Sequence, residues 1–260
     1  MTSDAIPPVA LITGGGTGIG AAVARLLAAT HRVVVCGRRA ESIDRVAKEI
    51  GGLAVVADIS IEASCRELVQ HVTTEYGRLD GLVLNAGIVK AAPVATMTTA
   101  DWQAQIDTNL TGPFFLAREC IPHLIKSKGS LVSVASLTAS EVGAGLSAYA
   151  ASKAGLTLLT QSIAFEYARH GIRANVIAPG WIRTEMGDME MMTFGNGSLE
   201  DAYARVTRFV PQRRAGLATE AASAVAWLLS PAASYVNGAV LNVDGGTSTV
   251  SVGLVDFDEL

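Results

Sequence analysis

Tyr149 and Lys153 stand four residues apart in the run Tyr149-Ala150-Ala151-Ser152-Lys153. On a helix that spacing sends both side chains from one face. An ammonium beside a phenol favours the phenolate and draws the phenol down from its ordinary pKa of about 10. A tyrosine poised in this way serves as a general acid or base near neutral pH. Ser136, thirteen residues before Tyr149, follows a β-branched run and offers a hydroxyl to the same neighbourhood. No serine sits in a G-x-S-x-G elbow, so a serine hydrolase is not expected.

A second constellation is Thr13-Gly14-Gly15-Gly16-Thr17-Gly18-Ile19-Gly20, between an apolar run at 9–13 and a helical pattern. Glycines there let the backbone approach a pyrophosphate, and a helix N-terminus supplies free N–H groups and the positive end of its dipole. Two registers fit, Gly14-x-x-x-Gly18-x-Gly20 and Gly16-x-Gly18-x-x-Ala21. A plain strand-to-helix turn needs glycine too, but the place after the first strand favours a dinucleotide loop. The second apolar run ends in Cys36-Gly37-Arg38-Arg39. An acid at this edge binds an adenosine 2′-hydroxyl, whereas an arginine accommodates a 2′-phosphate. No acid occurs before Glu41, so the edge points to NADP(H), the bland alternative being a solvated arginine pair.

The elements that must position these groups follow from periodicity. Short apolar runs at 9–13, 32–36, 53–57, 81–84, 130–135, 172–178 and 239–243 lack polar alternation, as strands buried on both faces do. Ile19, Ala22, Val23, Leu26 and Leu27 keep a helical stripe, and helical patterns recur at 42–50, 62–76, 99–126, 148–170 and 219–229. The expected fold is therefore α/β: a single-domain, Rossmann-like doubly wound parallel sheet of about seven strands over 1–260, with helices on both faces. Residues 181–216 break the rhythm and read as an insertion over the ligand crevice. Met186, Met189, Met191, Met192 and Phe194 suggest a flexible apolar lid, the alternative being a helix packed on the fold, with 185–208 a mobile cover.

Composition narrows the classes further. With 50% hydrophobic and 17% charged residues among 260, the chain is no disordered tract, and a net charge of −4 gives no basic stripe for nucleic acid. Three cysteines and four histidines without ligand spacing point to reduced thiols and no metal site. No apolar stretch is long enough for a membrane span, and the opening nine residues lack a leader pattern, so a cytoplasmic protein is expected.

From about residue 8 to 247 the chain resembles the short-chain dehydrogenase/reductase family, in particular its NADP(H)-preferring carbonyl and 3-oxoacyl-type reductases. The resemblance rests on residues 13–20, Asp58, Asn85-Ala86-Gly87, Asn109, Ser136, Tyr149, Lys153, Pro179-Gly180, Thr184 and the closing Asn242-Val243-Asp244-Gly245-Gly246. It implies an oxidoreductase of CH–OH groups in which Tyr149 moves the proton at the substrate oxygen and Ser136 hydrogen-bonds that oxygen. Lys153 would hold the nicotinamide ribose, and Asn109 would keep a helix open around a proton-relaying water. Gly14, Gly16, Thr17, Gly18 and Ile19 would receive the pyrophosphate. Arg38 and Arg39 would meet the 2′-phosphate, and Asp58 with Ile59 the adenine edge. Asn85, Ala86, Gly87, Pro179, Gly180, Ile182 and Thr184 would line the nicotinamide half.

One departure stands out: Thr17 occupies a position where many NADP-preferring relatives carry a base. The expected substrate is a ketone or alcohol of moderate size, against Ile88, Leu137, Thr138, Val142, Leu146 and Trp181. The alternatives are an NAD-dependent alcohol dehydrogenase working oxidatively and a non-catalytic cofactor-sensing protein, although the latter would not need both Tyr149 and Lys153. A homotetramer is expected, with the tail 247–260 against a neighbouring subunit.

Overall fold

The computed structural model describes residues 7–194 and 198–250. Its elements are β1 (Val9–Thr13), α1 (Gly18–Leu27), β2 (Arg32–Gly37), α2 (Ala40–Ile50), β3 (Leu53–Val56), α3 (Glu62–Tyr76), β4 (Gly81–Leu84) and α4 (Thr99–Ile106). They continue with α5 (Gly112–Ser127), β5 (Ser130–Val134), α6 (Ser147–Tyr167), β6 (Arg173–Pro179), β7 (Ile182–Arg183) and α7 (Glu185–Phe194). The last are α8 (Leu199–Thr207), β8 (Gly216–Leu217), α9 (Ala218–Leu229) and β9 (Val240–Val243).

Alternation within the strands explains the layers. In β1, Val9 and Leu11 enter one apolar layer while Ala10 and Ile12 enter the other. In β2 the same split sends Val34 and Cys36 one way, Val33 and Val35 the other. Helices α3, α5 and α6 cover the first face through Leu68, Leu116, Leu124 and Leu156. Helices α1, α2 and α9 cover the second through Val23, Val46, Val225 and Leu228. Seven parallel strands run in the order β3-β2-β1-β4-β5-β6-β9. Ile12 pairs with Val35 on one side and Val83 on the other, so the chain reverses its direction of growth around β1. A crevice opens at the carboxyl ends of strands where the order reverses in this way.

Two expectations are corrected. The stretch 99–126 is not one helix: a π-helical turn, Asp107–Thr111, separates α4 from α5. The amide of Asn109 in that turn accepts from the Ile88 N–H at 2.8 Å and donates to the Ile88 carbonyl at 2.9 Å. These bonds tie the widened turn to the loop after β4.

The segment 181–216 has more regular structure than its lack of pattern suggested. β7 and β8 pair in parallel, Ile182 with Gly216 and Arg183 with Leu217, closing the segment at its base. α7 and α8 share a small core of Met191, Ala202, Tyr203 and Ala215. The Tyr203 hydroxyl donates to Asp188 at 2.8 Å. Met189 and Met192 face solvent, and of the four methionines Met186 alone borders the central cavity. α7 and α8 thus pack as a helix pair, the arrangement the alternative reading expected. The side chain of Phe194 and most of the expected tail, 251–260, lie outside the described residues.

Candidate active site

At the end of β1, Gly14 has φ of 63°, a left-handed conformation that a side chain disfavours. Gly20, in the first turn of α1, packs so close to the loop that a Cβ would lie 2.3 Å from the Gly14 carbonyl oxygen. These two features select the register Gly14-x-x-x-Gly18-x-Gly20, and Gly16 packs instead against Ser42. Thr17 is extended and gives α1 no side-chain cap. The helix therefore presents first-turn N–H groups at a cavity wall formed by Thr17, Gly18 and Ile19. Asn85 clamps this loop: its Nδ2 donates to the carbonyls of Thr13 at 2.9 Å and Gly14 at 3.3 Å. The Thr13 hydroxyl in turn accepts the N–H groups of Asn85 and Ala86 at 2.9 and 3.0 Å.

On the same cavity, of about 410 Å³, Ser136 follows β5 and α6 carries Tyr149 and Lys153, all three bordering it. Lys153 is buried; its Nζ donates to the Val134 carbonyl at 2.8 Å and lies 5.6 Å from the centre of the Tyr149 ring. The Ser136 hydroxyl accepts from the Thr138 N–H at 3.2 Å. Asn109 is fully buried and outside the cavity wall. Its Nδ2 donates to the Ser152 hydroxyl at 3.1 Å, which donates to the Tyr149 carbonyl at 2.7 Å. Ser152, given no role from the sequence, thereby couples the π-helical turn to the turn of α6 that bears Tyr149. A Cβ at Gly87 would lie 3.3 Å from both Asn109 Oδ1 and Lys153 Nζ, so a side chain there would crowd both groups.

The electrostatics correct the expected low phenol. Burial pushes Tyr149 up to about 12; the Ser136 hydroxyl beside it pulls it down, and the charge of Glu190 adds to the rise. Burial also brings Lys153 down to about 8. The ammonium lies over the ring face and donates to Val134, and desolvation is the largest influence on both groups.

The other expected groups divide into two sets. Ala86, Gly87, Pro179, Gly180, Ile182 and Thr184 border the same cavity. Arg38, Arg39, Asp58 and Ile59 lie apart from it, where β2 and β3 end. Asp58 Oδ1 accepts from the Ser60 N–H at 3.0 Å and the Ser60 hydroxyl at 2.7 Å, while Oδ2 is 3.9 Å from Arg38. Arg39 pairs with Glu185 of α7 at 3.1 Å. Ile59 packs its side chain into the core, leaving only backbone for a ligand. Leu137, Thr138, Val142, Leu146 and Trp181 border the cavity as expected, but Ile88 does not; its backbone serves Asn109, and Val89 takes its place. Glu141, Glu190 and Thr247 were missed. For Glu190 a signal existed, since Met186 and Glu190 are four apart and leave α7 from one face.

Among the described residues no His, Cys, Asp and Glu cluster could hold a metal, and Cys36, Cys65 and Cys120 are buried free thiols. No helix among them is long and apolar enough to cross a membrane.

Residues 14–248 match a family model described as enoyl-(acyl carrier protein) reductase. The cis-4-hydroxycyclohexanecarboxylate dehydrogenase of Sinomonas cyclohexanicum is 38% identical over 249 residues, 93% of this chain and 97% of that protein. The crystal structure of levodione reductase superposes with a TM-score of 0.91 at 35% identity, covering 95% of this chain and 99% of that one. A variant actinorhodin polyketide ketoreductase crystallised with NADPH gives a TM-score of 0.90 at 32% identity, covering 94% and 98%.

Proposed function

The chain belongs to the short-chain dehydrogenase/reductase family and is an oxidoreductase of alcohol or ketone groups, and from that premise we propose that it transfers hydride between NADP(H) and the alcohol or ketone carbon of a moderately apolar small molecule. One observation carries the reading: Ser136, Tyr149 and Lys153 border a single cavity that the uncapped N-terminus of α1 also borders. The residues fit a nicotinamide dinucleotide, because Gly14, Gly18 and Gly87 leave room where side chains would intrude and Lys153 borders the cavity. When bound, that group supplies or accepts the hydride.

The chain's own residues do the rest. Tyr149 gives or takes the proton at the substrate oxygen, and Ser136 donates a hydrogen bond that steadies charge there. Lys153 holds the ribose, and Asn109 braces Tyr149 through Ser152. Gly14, Thr17, Gly18 and Ile19 receive the pyrophosphate, Gly16 shapes the loop from behind, and Asn85 fixes it. Ala86, Gly87, Pro179, Gly180, Ile182 and Thr184 enclose the nicotinamide half, and Asp58 with the Ile59 backbone meets the adenine. Arg38, with 63% of its side chain exposed beside Gly37, can meet a 2′-phosphate, and Arg39 can join it by exchanging its pairing with Glu185, which supports NADP(H). The relative crystallised with NADPH supports the same choice.

Phe165 on α6, Trp227 on α9 and Val240 on the edge strand β9 leave apolar surface exposed, which supports a homotetramer. Buried free thiols fit a reducing compartment, and the cytoplasm is the proposed location. Tyr149→Phe tests the central claim: turnover should fall at least ~10²-fold with cofactor affinity little changed. Near-native turnover in the purified variant would remove Tyr149 from its role.

A further inference from the structure

Among the described residues, four charged side chains border the reaction cavity: Glu141, Glu185, Glu190 and Lys153. Two of them have other partners: Lys153 donates to the Val134 carbonyl and is assigned above to the cofactor ribose, and Glu185 pairs with Arg39. The wall left to a substrate is otherwise apolar, built from Leu137, Val142, Leu146, Trp181 and Met186. Glu190 projects into it from the same face of α7 as Met186, half-buried. Among the described residues its carboxylate has no hydrogen-bond or ion-pair partner, and burial pushes its pKa up. Its charge reaches the Tyr149 phenol and pushes that up as well.

A carboxylate drawn partly out of water without a counter-ion is unfavourable. Held in the wall of a reaction cavity, it is relieved when a ligand brings the missing donor. We propose that Glu190 is a specificity-determining residue that receives a protonated amine, so that the favoured substrate is an alcohol or ketone carrying an ammonium group on an apolar body. This rests on the oxidoreductase reading above. A neutral hydroxyl would fill one hydrogen bond but leave the charge uncompensated, and Glu141 on the same cavity adds a second negative group. Substrates with a carboxylate or phosphate at this end meet the Glu190 carboxylate, and Lys153 is the one cation among the described residues of the wall, so they are disfavoured.

The test uses four ketones of similar size, acetophenone bearing at its para position aminomethyl, hydroxymethyl, ethyl or carboxylate. Reduction with NADPH is followed for the wild type, Glu190→Gln and Glu190→Lys. The wild type should favour aminomethyl over ethyl by about ten- to hundredfold in kcat/KM, mainly through KM, with carboxylate poorest. Glu190→Gln should collapse that ratio toward one, and Glu190→Lys should invert the order toward carboxylate. A ratio unchanged in both variants, or a wild type that prefers the carboxylate, overturns the proposal. Equal use of hydroxymethyl and aminomethyl, both lost in Glu190→Gln, replaces the cation with an uncharged donor and overturns it too. Calorimetric titration of para-(aminomethyl)acetophenone into the cofactor-free proteins separates the two readings. Binding that depends on Glu190 without turnover of any ketone by either cofactor would sink the oxidoreductase reading and keep this one. Turnover with binding indifferent to Glu190 would do the reverse.

Discussion

At position 153 an ammonium that is 3% exposed donates to the Val134 carbonyl at 2.8 Å, and burial lowers it from the ordinary 10.5 to about 8. The difference, 10.5 − 8, at about 1.4 kcal/mol per tenfold makes the buried charge cost about 3 kcal/mol at neutral pH. Lys153→Met keeps an unbranched apolar stem and removes the charge. It also forfeits one hydrogen bond to a buried carbonyl, worth about 1 kcal/mol. The cofactor-free variant should therefore be more stable than the wild type by about 2 kcal/mol at pH 7, and inactive. The sign of the pH dependence follows from linkage. Between about pH 8 and 10.5 the unfolded wild type keeps a proton that the folded protein has released, so wild-type stability rises with pH through that window. The variant's advantage is thus fully present below pH 8 and gone by about pH 10.5. Urea unfolding of both proteins at pH 7 and pH 10.5, without cofactor, measures it. A variant no more stable than wild type at pH 7, or an advantage equal at both pH values, refutes the argument from desolvation.

The paired change Gly37→Asp with Arg38→Ala should turn preference from NADP(H) to NAD(H). The charge-assisted bonds at stake, about 1.5–3 kcal/mol, amount to roughly one to two decades, with the lower part expected because Thr17 adds no charge. A wild-type kcat/KM favouring NAD(H) would overturn the cofactor assignment. Gly20→Ala places a Cβ 2.3 Å from the Gly14 oxygen, so the loop must shift. Urea unfolding should show a loss of about 1–3 kcal/mol, with weakened cofactor binding, and a variant normal in both contradicts the close approach. Sedimentation at micromolar concentration should give a tetramer, and a monomer would mean that the exposed Phe165, Trp227 and Val240 face water alone.

What the sequence determined by itself is whatever local periodicity and spacing encode. Apolar runs without alternation specify strands covered on both faces, and the helical stripes between them specify the covering layers; both appear in the sheet around β1 and β4. The four-residue step from Tyr149 to Lys153 put both on one face of α6, and the glycines before α1 marked a loop with exposed N–H groups. Only tertiary structure decided matters that depend on what distant segments bring to one place. The register of the glycine loop depends on Gly20 pressing against Gly14, and the break in 99–126 on Asn109 reaching Ile88. Glu190 became part of the cavity because α7, anchored by Met191 against α8, turns that face inward. The pKa of Tyr149 moved opposite to the sequence argument for the same reason. A pair spacing records which charges are neighbours, whereas desolvation depends on everything packed around them, and here burial is the largest influence on both groups.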